Sequence, residues 1–495
     1  MFEAVELGQS LSKAEFKQAE TTFRAELLQL QRQLAEAKVA ALIVIAGVEG
    51  AGKGAVVNRL NKWLDNRDMA THAFWDETAA ETQRPEYWRY WMGLPARGAI
   101  GIMFGAWYWD PIYRHCRGQA SDAELDDGGQ RIKELEHMLH QDGMLIIKLW
   151  FHLSKKTFHQ RIKQRSEAAK HVRAEKGDEH GGVDYKPFVL SAARLISRTD
   201  TRVCPWNLIE AEDDYFRDIS VAQAIRAGLT QRLAEHRVAD RRLAVPNPLV
   251  GVDASGASIL DTLDMGTALA KSDYKAQLKH YQKQLSELAW QAYDAGMSTV
   301  IVFEGWDAAG KGGAIRRLTS AVDARLYRSH SVAAPSDEEL AHHYLWRFWR
   351  QVPRAGYMTL YDRSWYGRVL VERVEQLART DEWQRAYQEI NDFEEQLVDS
   401  GAAVLKFWLH VTPEEQLKRF EQRQQTPWKQ YKLTDDDWRN RDKRDAYEAA
   451  VNEMVLRTST GKAPWCLIPA DDKYYARINV LKEVCERLDQ ALHTN

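Results

Sequence analysis

The octapeptide Gly305-Trp306-Asp307-Ala308-Ala309-Gly310-Lys311-Gly312 has the make-up of a phosphate cradle. Its glycines let backbone N–H groups turn inward onto anionic oxygens, and a helix opening behind it adds unpaired donors and a favourable dipole. Lys311 supplies a point charge for a phosphoryl group in transfer. The β-branched apolar run Thr299–Phe303 ahead of the loop reads as a buried strand, and Gly313–Ala321 behind it as a helix. Gly312 stands where such loops usually carry the Ser or Thr that ligates magnesium, so the metal needs another oxygen. Asp307 is the nearest candidate; its plainer role is a turn aspartate bonded to local N–H groups.

A second constellation is Leu360-Tyr361-Asp362-Arg363-Ser364-Trp365-Tyr366-Gly367-Arg368. An apolar run ends at Asp362, which places the acid at the carboxyl end of a strand, the edge where open α/β sheets bind ligands. Asp362 suits a metal or the orientation of an attacking oxygen; Arg363 and Arg368 suit bidentate grips on phosphate. Alone, the run also fits a turn with a surface ion pair. A third group is Arg419, Arg423 and Lys432. The two arginines are four apart and share a helix face. Pro427 then ends that helix, and Thr434 with Asp437 reads as the cap of the next. Such a segment fits a lid that closes to exclude water, or simply a solvated basic face.

The elements that must position these residues occur twice. Ala41–Gly54 (ALIVIAGVEGAGKG) and Thr299–Gly312 (TVIVFEGWDAAGKG) share seven of fourteen positions at an offset of 258. The same offset pairs Trp88 with Trp346, Trp91 with Trp349, Pro95 with Pro353, Gly98 with Gly356, and Trp107-Tyr108 with Trp365-Tyr366. It also pairs Lys148, Trp150 and His152 with Lys406, Trp408 and His410, and an offset of 259 pairs Pro205-Trp206 with Pro464-Trp465. The register implies two copies of one domain fused head to tail. Residues 1–240 and 266–495 are the expected copies, with 241–265, containing Pro246, Pro248, Gly251 and Gly256, as the linker. Helical spacing over Lys271–Ala295 and Glu382–Leu397 alternates with strand-like runs at Tyr357–Tyr361 and Ala402–His410. The fold class is therefore α/β: a tandem pair of P-loop kinase domains, each a parallel sheet flanked by helices, with a helical lid.

The bulk numbers bound the function. A net charge of −3 argues against a surface that coats a nucleic-acid polymer, although 68 Lys and Arg leave room for a local basic groove. Cys116, Cys204, Cys466 and Cys485 are widely spaced, which disfavours zinc sites and a disulfide framework. Residues 1–10 include Glu3 and Glu6 and lack the apolar core of a signal peptide; no run reaches the ~18–20 apolar residues of a membrane span. A cytoplasmic, membrane-free protein is expected. The 18 Trp, many at W-x-x-W spacing, point to aromatic packing on helices and offer a surface for a homo-oligomer.

Taken together, the loop at 305–312, the Tyr361-Asp362-Arg363-Ser364-Trp365-Tyr366 run and the lid stretch around Arg423 and Lys432 resemble the polyphosphate kinase 2 family. The resemblance spans the whole chain, taken as two copies, and is nearest to that family's fused two-domain class. It implies phosphoryl transfer from inorganic polyphosphate to AMP, giving ADP, with Mg²⁺; GMP stays open as a second acceptor. It further implies that Asp307, Lys311, Asp362, Arg363, Arg368 and Arg423 act in catalysis. Gly305, Gly310, Gly312, Glu372, Arg419 and Lys432 would bind phosphate, and Asp307 and Asp362 the metal. Gly367 departs from the family pattern, where Asn is frequent.

The copies differ where chemistry would occur. Lys53 matches Lys311, Glu49 matches Asp307, and Arg161 and Arg165 match Arg419 and Arg423. But Phe104, Gly105, Ala106 and Asp110 stand opposite Asp362, Arg363, Ser364 and Arg368. Phe104 cannot ligate a metal, so the N-terminal copy is expected to keep some anion affinity and be catalytically silent. Two rivals share these features: an ATP-dependent nucleotide or small-molecule kinase, and a non-enzymatic polyphosphate-binding protein. The acidic pair of the C-terminal copy disfavours the second.

Overall fold

The computed structural model describes the chain except residues 75, 170–183, 244–257, 428–429, 431–434 and 495. Most of the expected 241–265 linker, Lys432 and the Thr434 cap therefore lie outside the described residues, as does the side chain of Arg165. Among the described residues ten strands form two sheets. β1 (Ala41–Gly47), β2 (Met69–Ala73), β3 (Ile100–Phe104), β4 (Leu145–His152) and β5 (Trp206–Glu210) assemble in the order β2-β3-β1-β4-β5. β6 (Thr299–Gly305), β7 (Tyr327–Ser331), β8 (Met358–Asp362), β9 (Ala403–His410) and β10 (Trp465–Pro469) give β7-β8-β6-β9-β10, the same order copy for copy. Every pairing is parallel. β1 is buried along its whole length, the continuous apolar strand that a sheet covered on both faces demands.

The longer helices are α1 (Lys13–Glu36), α2 (Lys53–Trp63), α3 (Asp122–Gln141), α4 (Lys155–Ala169), α5 (Tyr185–Thr199) and α6 (Asp214–Leu243). The second copy supplies α7 (Lys271–Asp294), α8 (Lys311–Thr319), α9 (Thr380–Asp399), α10 (Pro413–Gln424), α11 (Asp435–Asp442), α12 (Arg444–Thr458) and α13 (Lys473–Thr494). Among the described residues no helix is long and apolar enough to cross a membrane. α8 starts two residues ahead of the predicted Gly313, because left-handed Gly310 caps it and Lys311 is already helical.

Packing divides the chain into two units that are not contiguous in sequence. The first holds Met1–Asp76, Arg89–Pro248 and Asp337–His343; the second holds Glu77–Trp88, Leu249–Ser336 and Tyr344–Asn495. A simple cut near 240–266 thus misassigns two short stretches. Backbone bonds tie them in: Arg97 N–H to the Ala341 carbonyl (2.7 Å) in the first unit, and Ala355 N–H to the Gln83 carbonyl (2.9 Å) in the second.

Each unit carries the same buried ionic knot. In the second, Lys406 Nζ on β9 donates to Glu394 Oε2 (2.7 Å), the Tyr366 hydroxyl (2.9 Å) and the Thr458 carbonyl (2.6 Å). Glu394 Oε1 on α9 accepts from Trp365 Nε1 (3.0 Å) and the Tyr366 hydroxyl (2.7 Å). In the first, Lys148, Glu136, Tyr108, Trp107 and the Thr199 carbonyl repeat every bond. Both carboxyls are pushed upward by burial, opposed by the lysine and the hydrogen bonds. The Trp-Tyr pair is therefore an anchor that turns the chain leaving β3 or β8 back onto the sheet.

Candidate active site

The glycine loop leaves β6 at Gly305, where φ is +144° and an added Cβ would lie 2.4 Å from the Leu409 carbonyl oxygen. Only glycine fits there. Trp306 N–H bonds the Leu409 carbonyl (3.3 Å) and Ala309 N–H the Trp306 carbonyl (3.1 Å), while among the described residues the N–H groups of Asp307, Ala308 and Gly310 have no backbone partner. Ala308 holds a left-handed φ of +63°. The result is an anion nest at the start of α8. Lys311 Nζ folds back onto the carbonyls of Gly305 (2.6 Å) and Trp306 (3.2 Å).

Asp362 is the last residue of β8 and pairs in register with Phe303, so it reaches the sheet edge beside the loop. Its Oδ2 lies 4.0 Å from where a Cβ on Gly312 would be, against the first turn of α8. Arg363 follows at φ +65°, its N–H bonded to the Phe303 carbonyl (3.0 Å). Its Nη2 reaches Asp307 Oδ1 at 3.3 Å. Burial works against the charged guanidinium, but the carboxylates of Asp307, Glu304, Asp362 and Asp437 outweigh it and raise its pKa. Of the two predicted metal ligands, Asp307 thus contacts the Arg363 guanidinium directly. Asp307 Oδ2 also accepts from Asn440 Nδ2 of α11 (2.9 Å), and its carbonyl from Gln416 Nε2 of α10 (3.1 Å).

Arg368 pairs with Glu372 (3.1 Å) and packs 4.5 Å over the Tyr344 ring. Burial raises the Glu372 pKa, with Arg368 and Arg347 opposing. Glu372, expected at the phosphate, is held instead in the ion pair with Arg368, a correction to its placement, since one carboxylate repels another anion. Arg419 is corrected as well. It is buried, and all five guanidinium N–H donors are committed. Nε bonds Glu415 (2.7 Å), Nη1 the carbonyls of Ala308 (3.0 Å) and Ala309 (3.1 Å), and Nη2 those of Ala470 (2.6 Å) and Asp471 (2.8 Å). It braces the glycine loop from behind. Arg161 does the same in the first unit, bonding the carbonyls of Gly50 (3.0 Å) and Glu212 (2.6 Å). Arg423 lies half-buried in the last turn of α10.

The first unit keeps the loop without the acid. Gly47 and Gly52 repeat the positive φ of Gly305 and Gly310, and Lys53 Nζ bonds the carbonyls of Gly47 (2.7 Å) and Val48 (2.8 Å). Phe104 takes the strand position of Asp362, paired with Ile45, and Gly105 N–H bonds the Ile45 carbonyl (2.8 Å) as Arg363 bonds that of Phe303.

Sequence reasoning missed Asn440 and Glu304. Nothing in the spacing links Asn440 to Asp307. Glu304 carried a signal: it is an acid directly following the apolar run Val300–Phe303, where the other copy has Ala46.

A glycine nest opening a helix, with an acid at the end of the neighbouring parallel strand, defines a P-loop phosphotransferase fold. Comparison with known proteins narrows this. The family described as Polyphosphate kinase 2 (PPK2) matches twice, over residues 10–237 and 268–495. The chain is 42% identical over 493 residues, 99% of each sequence, to a protein of Pseudomonas aeruginosa named Polyphosphate:AMP phosphotransferase. It is 37% identical, over 90% of each sequence, to one of the same name from Acinetobacter johnsonii. A solved Pseudomonas aeruginosa structure assigned to polyphosphate kinase 2 covers 100% of both chains at 41% identity and a TM-score of 0.89. The chain belongs to the polyphosphate kinase 2 family.

Proposed function

We propose that this chain moves the terminal phosphate of inorganic polyphosphate to AMP, giving ADP, and that the second unit performs the transfer with Mg²⁺ bound by Asp307 and Asp362. One observation carries the assignment to that unit: Arg363 contacts Asp307 and lies in the field of Asp362, beside the glycine nest. The full-length relatives named Polyphosphate:AMP phosphotransferase support the donor and acceptor.

The residues fit the metal. Mg²⁺ takes one or two carboxylates and completes its shell with water and substrate phosphates. Bound there, Mg²⁺ would neutralise charge on the phosphate oxygens.

The side chains supply the rest. Loop N–H groups receive phosphate oxygens, and Lys311 exchanges the Gly305 and Trp306 carbonyls for the anion. An oxygen of the AMP phosphate attacks the terminal phosphorus in line as the bond to the shortened chain's bridging oxygen breaks. Arg363, Arg368 and Arg423 spread the charge, and positioning supplies most of the acceleration. The first unit, with Phe104, Gly105 and Asp110 in place of the acid and both arginines, is assigned no transfer.

The test is nucleotide analysis of the full chain with AMP, Mg²⁺ and either long-chain polyphosphate or ATP. ADP formed with polyphosphate as sole donor is expected. ADP formed only with ATP would replace this reading by an ATP-dependent kinase.

A further inference from the structure

Glu304 is a carboxylic acid embedded in the central strand of the second sheet, 5% exposed, in a run otherwise made of Val300, Ile301, Val302 and Phe303. An isolated buried carboxyl is costly unless hydrogen-bonded. Its Oε1 accepts from Ser364 Oγ at 2.7 Å, a fully buried bond that joins β6 to the chain just past β8. The same hydroxyl oxygen accepts from Tyr366 N–H (3.3 Å) and caps the short turn Trp365–Arg368. Ser364 is thus fixed from two sides. It directly follows Arg363, a non-glycine residue at φ +65°, a conformation that persists only where its surroundings enforce it. Glu304 directly precedes Gly305 of the glycine loop, and its bond to Ser364 ties that loop's strand to the turn carrying Arg363.

The first unit provides an internal control. Ala46 occupies the position of Glu304 and Ala106 that of Ser364, so both partners of the bond are replaced together by apolar residues. Gly105 occupies the position of Arg363 and also has a positive φ, +70°, at no steric cost, but the turn beyond it differs: Ala106 lies at φ +42° where Ser364 is extended at φ −154°. Removing both partners of a buried hydrogen bond is far milder than removing one, so the fold tolerates the paired loss. The pair is present where Asp362 and Arg363 are present, and absent where they are absent.

We propose that Glu304 is a positioning residue for phosphoryl transfer: through Ser364 it locks the left-handed turn at Arg363, aiming that guanidinium and the Asp362 carboxylate at the glycine loop. The inference rests on the second unit being the transferring one. Its effect passes through one bond, which makes three behaviours separable from a general packing role.

The experiment compares full-chain Glu304→Gln, Glu304→Ala, Ser364→Ala and the Glu304→Ala/Ser364→Ala double variant, with Asp362→Asn as control. The readouts are kcat and KM for AMP at saturating polyphosphate and Mg²⁺, and the thermal midpoint. Ser364→Ala and Glu304→Ala should each lower kcat by roughly 10- to 100-fold, the scale of a reacting group displaced by about 1 Å, with KM within about twofold. The double variant should be no worse than the poorer single and should fold, since it reproduces the Ala46/Ala106 pair. Glu304→Gln, whose amide oxygen still accepts from Ser364, should recover most of kcat. Wild-type kcat in Ser364→Ala, multiplying losses in the double variant, or Gln as damaging as Ala would each overturn the proposal. Should a single alanine variant fail to fold, the Gln and double variants still decide. Full activity in Asp362→Asn would instead overturn the reading of the site itself.

Discussion

Arg363 condenses the chemistry and its cost in one residue. Its backbone lies at φ +65°, a region that costs a non-glycine residue on the order of 1 kcal/mol, while its side chain bridges to Asp307 and answers to Asp362. The other copy places Gly105 there, also at a positive φ (+70°), and carries no arginine. Arg363→Gly should therefore lower turnover by at least about 100-fold, as loss of a preorganised charge at a transferring group does. Its stability should be unchanged or up to about 1 kcal/mol higher, because the exposed ion pair it loses is weak. Paired denaturation and rate measurements check this; a clear loss of stability would mean the arginine holds the turn rather than being held by it. The position of Asp362 at the end of a strand beside the glycine loop was legible in sequence, because an apolar run that stops at an acid marks a sheet edge. Arg419 misled because its spacing from Arg423 says only that they share a face, not that its donors are spent on the carbonyls of Ala308, Ala309, Ala470 and Asp471.

Among elements, the strand–loop–helix unit was readable because a short β-branched run followed by glycines has few other solutions. The Trp-Tyr dipeptide was visible as a repeat, but its role was not. Spacing cannot show that Trp365 and Tyr366 close on Glu394 and Lys406, which come from α9 and β9. That knot explains why the first unit has Trp107-Tyr108 without the acid and arginine ahead of them: one pair anchors the fold and the other is the pair proposed for the chemistry. Lys406 and Glu394 are essentially inaccessible, at 0% and 2% side-chain exposure. Lys406→Met should cost about 3–5 kcal/mol in unfolding free energy, because it strands a buried carboxylate. Glu394→Gln should cost less, since its amide oxygen still accepts from Trp365 and Tyr366. Equilibrium denaturation of both variants tests the order; equal small losses would show the knot to be dispensable.

For the whole molecule, duplication was plain from the 258-residue register, and with it the two sheets of identical strand order. The extents of the packed units were not, because Glu77–Trp88 and Asp337–His343 are assigned by backbone bonds such as Ala355 to Gln83 that no local pattern encodes. Cutting the chain near residue 250 would strip each unit of one such stretch, so the division of labour is better tested in the intact protein. Lys53 and Lys311 occupy equivalent loops with equivalent carbonyl contacts, which makes their alanine variants a matched pair. The decisive measurement is the rate of ADP formation from AMP and polyphosphate with saturating Mg²⁺ for full-chain Lys53→Ala and Lys311→Ala. Lys311→Ala is expected to lose at least about 100-fold in turnover while Lys53→Ala stays within about threefold of the unmodified chain. The reverse pattern, or equal losses in both, would contradict the assignment of transfer to the second unit alone.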